Sequence, residues 1–235
     1  MMEVQRFKTK EEAIEKAALH LNLVLGAHVH VPILFLSSGG SSLALLEHID
    51  VFPPNLTVGM TDERFSQDPK VNNFAQLAET LFFQRAQEHG VSFIDTRVQL
   101  KEDVTAYARR FEDALSAWRQ ENKTGRVVIT QGMGSDAHTA GIMPYPKDKD
   151  TFQELFEGDR LVQGYDAKDK NEFPLRATIT LPFLRQVDHS ILFMSGKEKS
   201  GALSHTLNAT GTLWETPSRI VHEMKDVVLF VSIAE

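Results

Sequence analysis

The stretch Arg126-Val127-Val128-Ile129-Thr130-Gln131-Gly132-Met133-Gly134-Ser135-Asp136-Ala137-His138-Thr139-Ala140 carries the reading of this chain. Its first six residues form an apolar run of the kind buried in a parallel sheet. Two glycines then allow a sharp turn at the carboxyl end of that strand. An acid and a histidine follow, two positions apart. Open α/β sheets bind ligands at this end of their strands. A histidine placed there moves protons near neutral pH, because its unperturbed pKa is about 6.5. Taken alone, the stretch fits equally well a glycine-rich turn with an incidental histidine.

Two further segments follow the same plan. The run Val31–Leu36 reads as a strand, Ser37-Ser38-Gly39-Gly40-Ser41-Ser42 as a turn, and Leu43–His48 as a helix. Backbone N–H groups, helix dipole and serine hydroxyls then converge on an anion site, with phosphate its natural occupant. An ordinary tight βα turn is the alternative. Leu56–Met60 reads as a short strand, with Asp62, Glu63 and Arg64 in a loop at its carboxyl end and Asn72-Asn73 beyond. A solvated charged loop has the same composition.

Around these segments strands alternate with helices. Thr9 and Glu12 fit a capping box, Ala13, Ile14, Ala17, Ala18, Leu21 and Leu25 recur at helical spacing, and Gly26 ends that helix. Val104, Tyr107, Ala108, Phe111, Leu115 and Trp118 form a second stripe, read as core. A strand is expected at 188–195, a helix from Lys197 to Leu207 and a last strand at Val227–Val231. The pattern predicts an α/β fold, a doubly wound and mostly parallel sheet with helices on both faces, in one unit spanning 1–235. The polar, turn-rich region from Pro144 to Asn171 is read as surface or as a lid-like insertion.

Composition narrows the function. The 235 residues include no cysteine, which excludes disulfides and thiolate metal sites and fits a cytoplasmic setting. A formal charge of −7 without a basic tract argues against a non-specific nucleic-acid surface. No apolar run approaches the roughly 20 residues that span a bilayer, and the polar start of the chain lacks a signal-peptide core. Gly132-x-Gly134-x-x-Ala137 matches a dinucleotide fingerprint, but Asp136 would face a pyrophosphate and Pro144 curtails any helix. No Gly-x-Ser-x-Gly is present, and no second histidine stands at metal-ligand spacing from His138.

In order, strand–SGGSS, strand–TDER with Asn72-Asn73, and strand–GMGSDAHTAGIMP resemble the 6-phosphogluconolactonase family. That family shares its fold with glucosamine-6-phosphate deaminase and, more distantly, ribose-5-phosphate isomerase. Pro174–Leu181 and Ile191–Lys199 are further matching segments, so the resemblance runs from about Thr9 to the C-terminus. It implies hydrolysis of 6-phospho-D-glucono-1,5-lactone without cofactor or metal, by a monomer or weak homodimer whose partner is a small phosphorylated lactone. His138 would be the base that activates water, and Asp136 would orient it. Ser38, Gly39, Gly40, Ser41, Ser42, Asp62, Arg64, Arg176 and Lys199 would form the substrate- and phosphate-binding set, with Asn73 shaping the loop. The deaminase pattern has a Glu just before the proline, where this chain has Met143, and methionine exchanges no protons. Two departures stand out: Ser41-Ser42-Leu43 stands where the family's Gly-Gly-Ser-Thr-Pro ends in Ser-Thr-Pro, and Ala137 replaces a usual Gly. If Ala137 needs a positive φ, the cost is roughly 1 kcal/mol. The alternatives are an isomerase or deaminase of aminosugar phosphates, or a sugar-phosphate sensor without turnover.

Overall fold

The computed structural model describes residues 2–233; the two ends of the expected 1–235 unit lie outside the described residues. In chain order the elements are β1 (Met2–Phe7), α1 (Lys10–Ala27), β2 (Ile33–Ser37), α2 (Leu43–Leu46), β3 (Leu56–Met60), β4 (Asp62–Arg64), α3 (Asn73–Ala78), α4 (Leu81–Glu88) and β5 (Ser92–Phe93). There follow α5 (Val104–Glu121), β6 (Arg126–Gly132), α6 (Lys149–Phe156), β7 (Val162–Asp166), β8 (Leu175–Ile179), α7 (Leu181–Leu184), β9 (His189–Ser195), α8 (Ser200–Leu207) and β10 (Val227–Ser232). Side-chain caps start five of these helices: Thr9, Asn72, Thr80, Asp103 and Asp148 each accept a backbone N–H three residues on. At the first, Glu12 reaches back to the N–H of Lys8 rather than to that of Thr9, and the helix runs one residue past Gly26.

Seven strands form a sheet in the order β1-β10-β9-β6-β2-β3-β5, and every neighbouring pair is parallel. The continuous apolar runs follow from burial on both faces. Leu34, Leu36, Val127 and Ile129 point to one side, against Tyr107, Phe111 and Leu115 of α5. Ile33, Phe35 and Val128 point to the other, against Ala13, Ala17 and Leu21 of α1. From β2 the chain winds outward to β3 and β5; from β6 it winds the opposite way to β9 and β10. The strand order therefore reverses between β2 and β6, and a crevice opens beyond their carboxyl ends. Among the described residues, no helix is long and apolar enough to cross a membrane.

A second, antiparallel sheet, β4-β8-β7, was not expected from the sequence. The segment read as a charged loop, Asp62-Glu63-Arg64, is its first strand. The region 144–171 is more than surface: it supplies β7 and α6 and buries Phe152, Phe156, Val162 and Tyr165 against the α5 side of the main sheet. Strand alternation turns Asp62 and Arg64 one way and Glu63 the other. Glu63 is fully buried and accepts the backbone N–H of Arg64 (2.8 Å), Asn73 (2.5 Å) and Phe74 (2.8 Å) and the hydroxyl of Thr96 (3.1 Å). It thus fastens β4 to the start of α3.

Burial pushes the Glu63 carboxyl up to about 8, against the pull of these donors toward the carboxylate. The folded chain therefore holds a proton that the unfolded chain releases near 4.5. That contribution to stability is fully present below pH 4.5 and is lost as pH rises to about 8, at roughly 1 kcal/mol per pH unit. Chemical denaturation at a series of pH values should show the wild-type advantage over Glu63→Gln shrinking across this window and level above it. A constant difference would contradict the assignment.

Candidate functional site

The loops that leave β2 and β6 enclose a cleft of about 370 Å³ at the reversal of strand order. Its lining includes Ser38, Gly39, Gly40, Ser41 and Ser42 from the first loop, and Gly132, Met133, Gly134, Ser135 and His138 from the second. Asp62 and Arg64 of β4, Arg176 of β8, Asn73 and Lys199 also line it. Eleven of the twelve residues singled out from sequence, Asn73 among them, therefore meet in one place. Asp136 does not line the cleft but holds a residue that does. Gly132, Met133, Gly134, Ser135, Ala140 and Gly141 add to the set; Asn73 shapes the β4 turn by donating from Nδ2 to the Asp62 carbonyl (3.0 Å).

The β2 loop is anchored by Ser38, whose N–H donates to Thr130 Oγ1 at 3.0 Å. Gly40 sits at φ 62°, a left-handed conformation that glycine adopts without strain. The helix expected over 43–48 is shorter: a 3-10 turn at Gly40–Ser42 leads into the single turn of α2. So short a helix has little dipole, and what this end of the cleft offers an anion is N–H groups, hydroxyls and cations. The Ser42 hydroxyl is buried without a partner beside the cleft.

The β6 loop brings the acid and the histidine together. His138 Nδ1 lies 2.6 Å from Asp136 Oδ1, which also accepts the His138 backbone N–H at 3.1 Å. A carboxylate accepts only, so Nδ1 carries a proton, and in the neutral ring the lone pair is on Nε2. Burial works against the Asp136 charge, but the hydrogen bond from His138 prevails and holds its carboxyl below the usual range. Gly134 is required sterically, since a Cβ there would strike the His138 ring. Ala137 does take a left-handed φ, 65°, and Ala140 another, 46°. The surrounding structure pins both: Ser218 N–H donates to the Ala137 carbonyl (3.0 Å), and the Thr178 hydroxyl to that of Ala140. The Tyr165 hydroxyl donates to the Gly141 carbonyl at 2.5 Å. No helix begins between Met133 and Asp148, so the fingerprint-like glycines are not followed by a dinucleotide-binding helix.

The cations differ in their availability. Arg176 Nη2 is 2.6 Å from Asp62 Oδ2, and both side chains are under a tenth exposed. Burial acts to lower the Arg176 pKa, yet the Asp62 charge beside it leaves the net shift upward. Arg176 thus enters the cleft already neutralised by Asp62. Among the described residues no carboxylate pairs with Arg64 or Lys199. No group of three or more His, Cys, Asp or Glu is placed to hold a metal among them.

The model of a family described as glucosamine-6-phosphate isomerases/6-phosphogluconolactonase matches residues 9–230. The chain belongs to this family. A comparison with curated proteins found no match. Among solved structures, the chain is similar to a 6-phosphogluconolactonase from Shewanella baltica, with TM-score 0.82 at 19% identity over 99% of this chain and 98% of that one. It is also similar to one from Thermotoga maritima (0.76, 22%, 99% and 100%) and one from Trypanosoma brucei (0.77, 19%, 99% and 96%). At these identities the shared property is the fold. Within the family frame, Met143 is fully buried in the core and absent from the cleft lining.

Removing one partner of a buried ion pair strands the other charge and typically costs about 3–5 kcal/mol. Asp62→Ala should therefore lower unfolding free energy in urea by about that amount. The double variant Asp62→Ala/Arg176→Met should recover a large part of it. Additive losses in the double variant would show that the pair is not coupled.

Proposed function

We propose that this chain hydrolyses 6-phospho-D-glucono-1,5-lactone to 6-phosphogluconate. The observation that carries the reading is His138, oriented through Nδ1 by Asp136, in one cleft with two unpaired cations, Arg64 and Lys199. A phosphomonoester carries about −1.5 to −2 charges at pH 7, which two cations match. The Ser38–Ser42 loop supplies N–H and hydroxyl donors around it. With the phosphate held there, the lactone carbonyl faces the histidine loop.

The chemistry then needs one base and one water. His138 Nε2 takes a proton from water as its oxygen bonds to the lactone carbonyl carbon. Collapse of the tetrahedral adduct breaks the bond between that carbon and the ring oxygen. The imidazolium returns the proton to the leaving oxygen, and the new acid ionises in solvent. Asp136 stabilises the imidazolium through Nδ1–H. No step needs a cofactor. A chain without cysteine suits a reducing cytoplasm.

Aminosugar deamination also needs proton exchange at the ring oxygen and at C2. A buried methionine at position 143 offers none. The sensor reading rests on damage at Ala137, but the strained backbone there is held and the Asp136–His138 bond is formed.

A coupled lactonase assay at low protein and short times, which limits spontaneous hydrolysis, tests the proposal. His138→Ala should lose about 10²–10⁴-fold in kcat while melting as the wild type does; near-normal turnover would sink the role of base. Arg64→Ala and Lys199→Ala should each cost roughly 10 to 100-fold in kcat/KM on the phosphorylated lactone, the loss of a charge-assisted hydrogen bond. The unphosphorylated lactone should suffer far less, and equal losses would remove the phosphate assignment. Glucosamine 6-phosphate should release no ammonia. Ammonia release that depends on His138 would favour the deaminase alternative.

A further inference from the structure

Arg64 and Arg176 face each other across the β4–β8 pairing. Side chains so placed have Cβ atoms about 4.5–5.5 Å apart, and like charges there repel. The connection from β7 to β8 answers that repulsion. Asn171 Oδ1 accepts from Arg176 Nη1 at 3.2 Å, and the Phe173 carbonyl lies 3.5 Å from the same nitrogen. With Asp62 on Nη2, both terminal nitrogens of Arg176 have acceptors. On the other arginine, the guanidinium carbon of Arg64 sits 4.9 Å from the centroid of the Phe173 ring. Both arginines line the cleft; neither Asn171 nor Phe173 does. The turn is itself fastened, with Phe173 N–H on Asn171 Oδ1 (3.1 Å) and Ala167 N–H on the Pro174 carbonyl (2.8 Å).

We propose that Phe173 and Asn171 are positioning residues that set the anion specificity of the cleft. An aromatic face covers one face of the Arg64 plane and leaves its N–H edge for a ligand. Asn171 acts on the second arginine, holding it with Asp62 in a neutral pair. The two charges left facing a ligand are then those of Arg64 and Lys199. This rests on the lactonase reading only in taking the cleft as the place where a phosphate binds.

The probe is inorganic phosphate, titrated calorimetrically into the whole protein and used as a competitor in the lactonase assay. Phe173→Leu should weaken phosphate roughly three- to thirty-fold, the span of a cation–π contact. It should raise KM for the phosphorylated lactone by a similar factor, with little change in kcat and a smaller effect on the unphosphorylated one. Phe173→Tyr, which keeps the ring, should restore phosphate binding. Asn171→Ala, which removes the acceptor of both the Arg176 Nη1–H and the Phe173 N–H, should weaken phosphate roughly two- to ten-fold. Unchanged phosphate affinity in Phe173→Leu, equal losses on both lactones, or failure of the tyrosine to rescue a variant that melts normally would each overturn the inference. If the wild type binds no phosphate, the anion site itself is wrong and the inference falls with it. If the wild type binds phosphate and Phe173→Leu matches it, only the positioning role falls.

Discussion

Two arginines set side by side on one small sheet repel each other, and the cleft is organised around managing that repulsion. Asp62 neutralises one of them within the sheet itself, two residues from the other along β4. Asp62 can do so because alternation puts it on the same face as Arg64, while Glu63 turns inward and locks the strand to α3. The same face presents Thr178, whose hydroxyl holds the Ala140 carbonyl of the histidine loop. A three-residue strand thereby fixes the charge of the cleft and, through its partner strand, the path of the loop that bears His138.

Much of this was legible in the chain. The parallel strands announced themselves as apolar runs because both of their faces are covered, and the glycine-rich ends of β2 and β6 marked the crevice. The resemblance, carried by motifs in order, named the residues that converge there. The antiparallel sheet was not legible. Asp62-Glu63-Arg64 has no apolar alternation, since its inward residue is an acid satisfied by backbone N–H groups, and its partner lies more than a hundred residues away. β1 was missed for a related reason: as an edge strand it stays half-exposed and reads as polar. Asn171 and Phe173 sit in a turn whose composition signals only a turn.

Among the described residues, two of the four left-handed non-glycine positions, Ala137 and Ala140, sit where the chemistry is proposed. Left-handed alanines at 137 and 140 cost on the order of 1–2 kcal/mol each, and they persist because the surrounding structure over-determines them. The donors that pin this loop come from three directions: Ser218 from the segment before β10, Thr178 from β8 and Tyr165 from β7. A loop held from three sides keeps its histidine oriented before any ligand arrives, which is what pre-organisation requires.

The pairing of β1 with β10 has a consequence for how the molecule is made. Met2 through Phe7 lie in register with Val227 through Ser232, so β1 joins the sheet only through β10, a strand far later in the chain. While the chain emerges from the ribosome, β1 has no partner, and β9 lacks its outer neighbour. Sheet closure at this edge is therefore a late, long-range event, of the kind that slows folding and leaves strand edges open to other chains. The modest polarity of Glu3, Gln5 and Arg6 then acts as protection during the wait, keeping an orphan strand from pairing with a neighbour's.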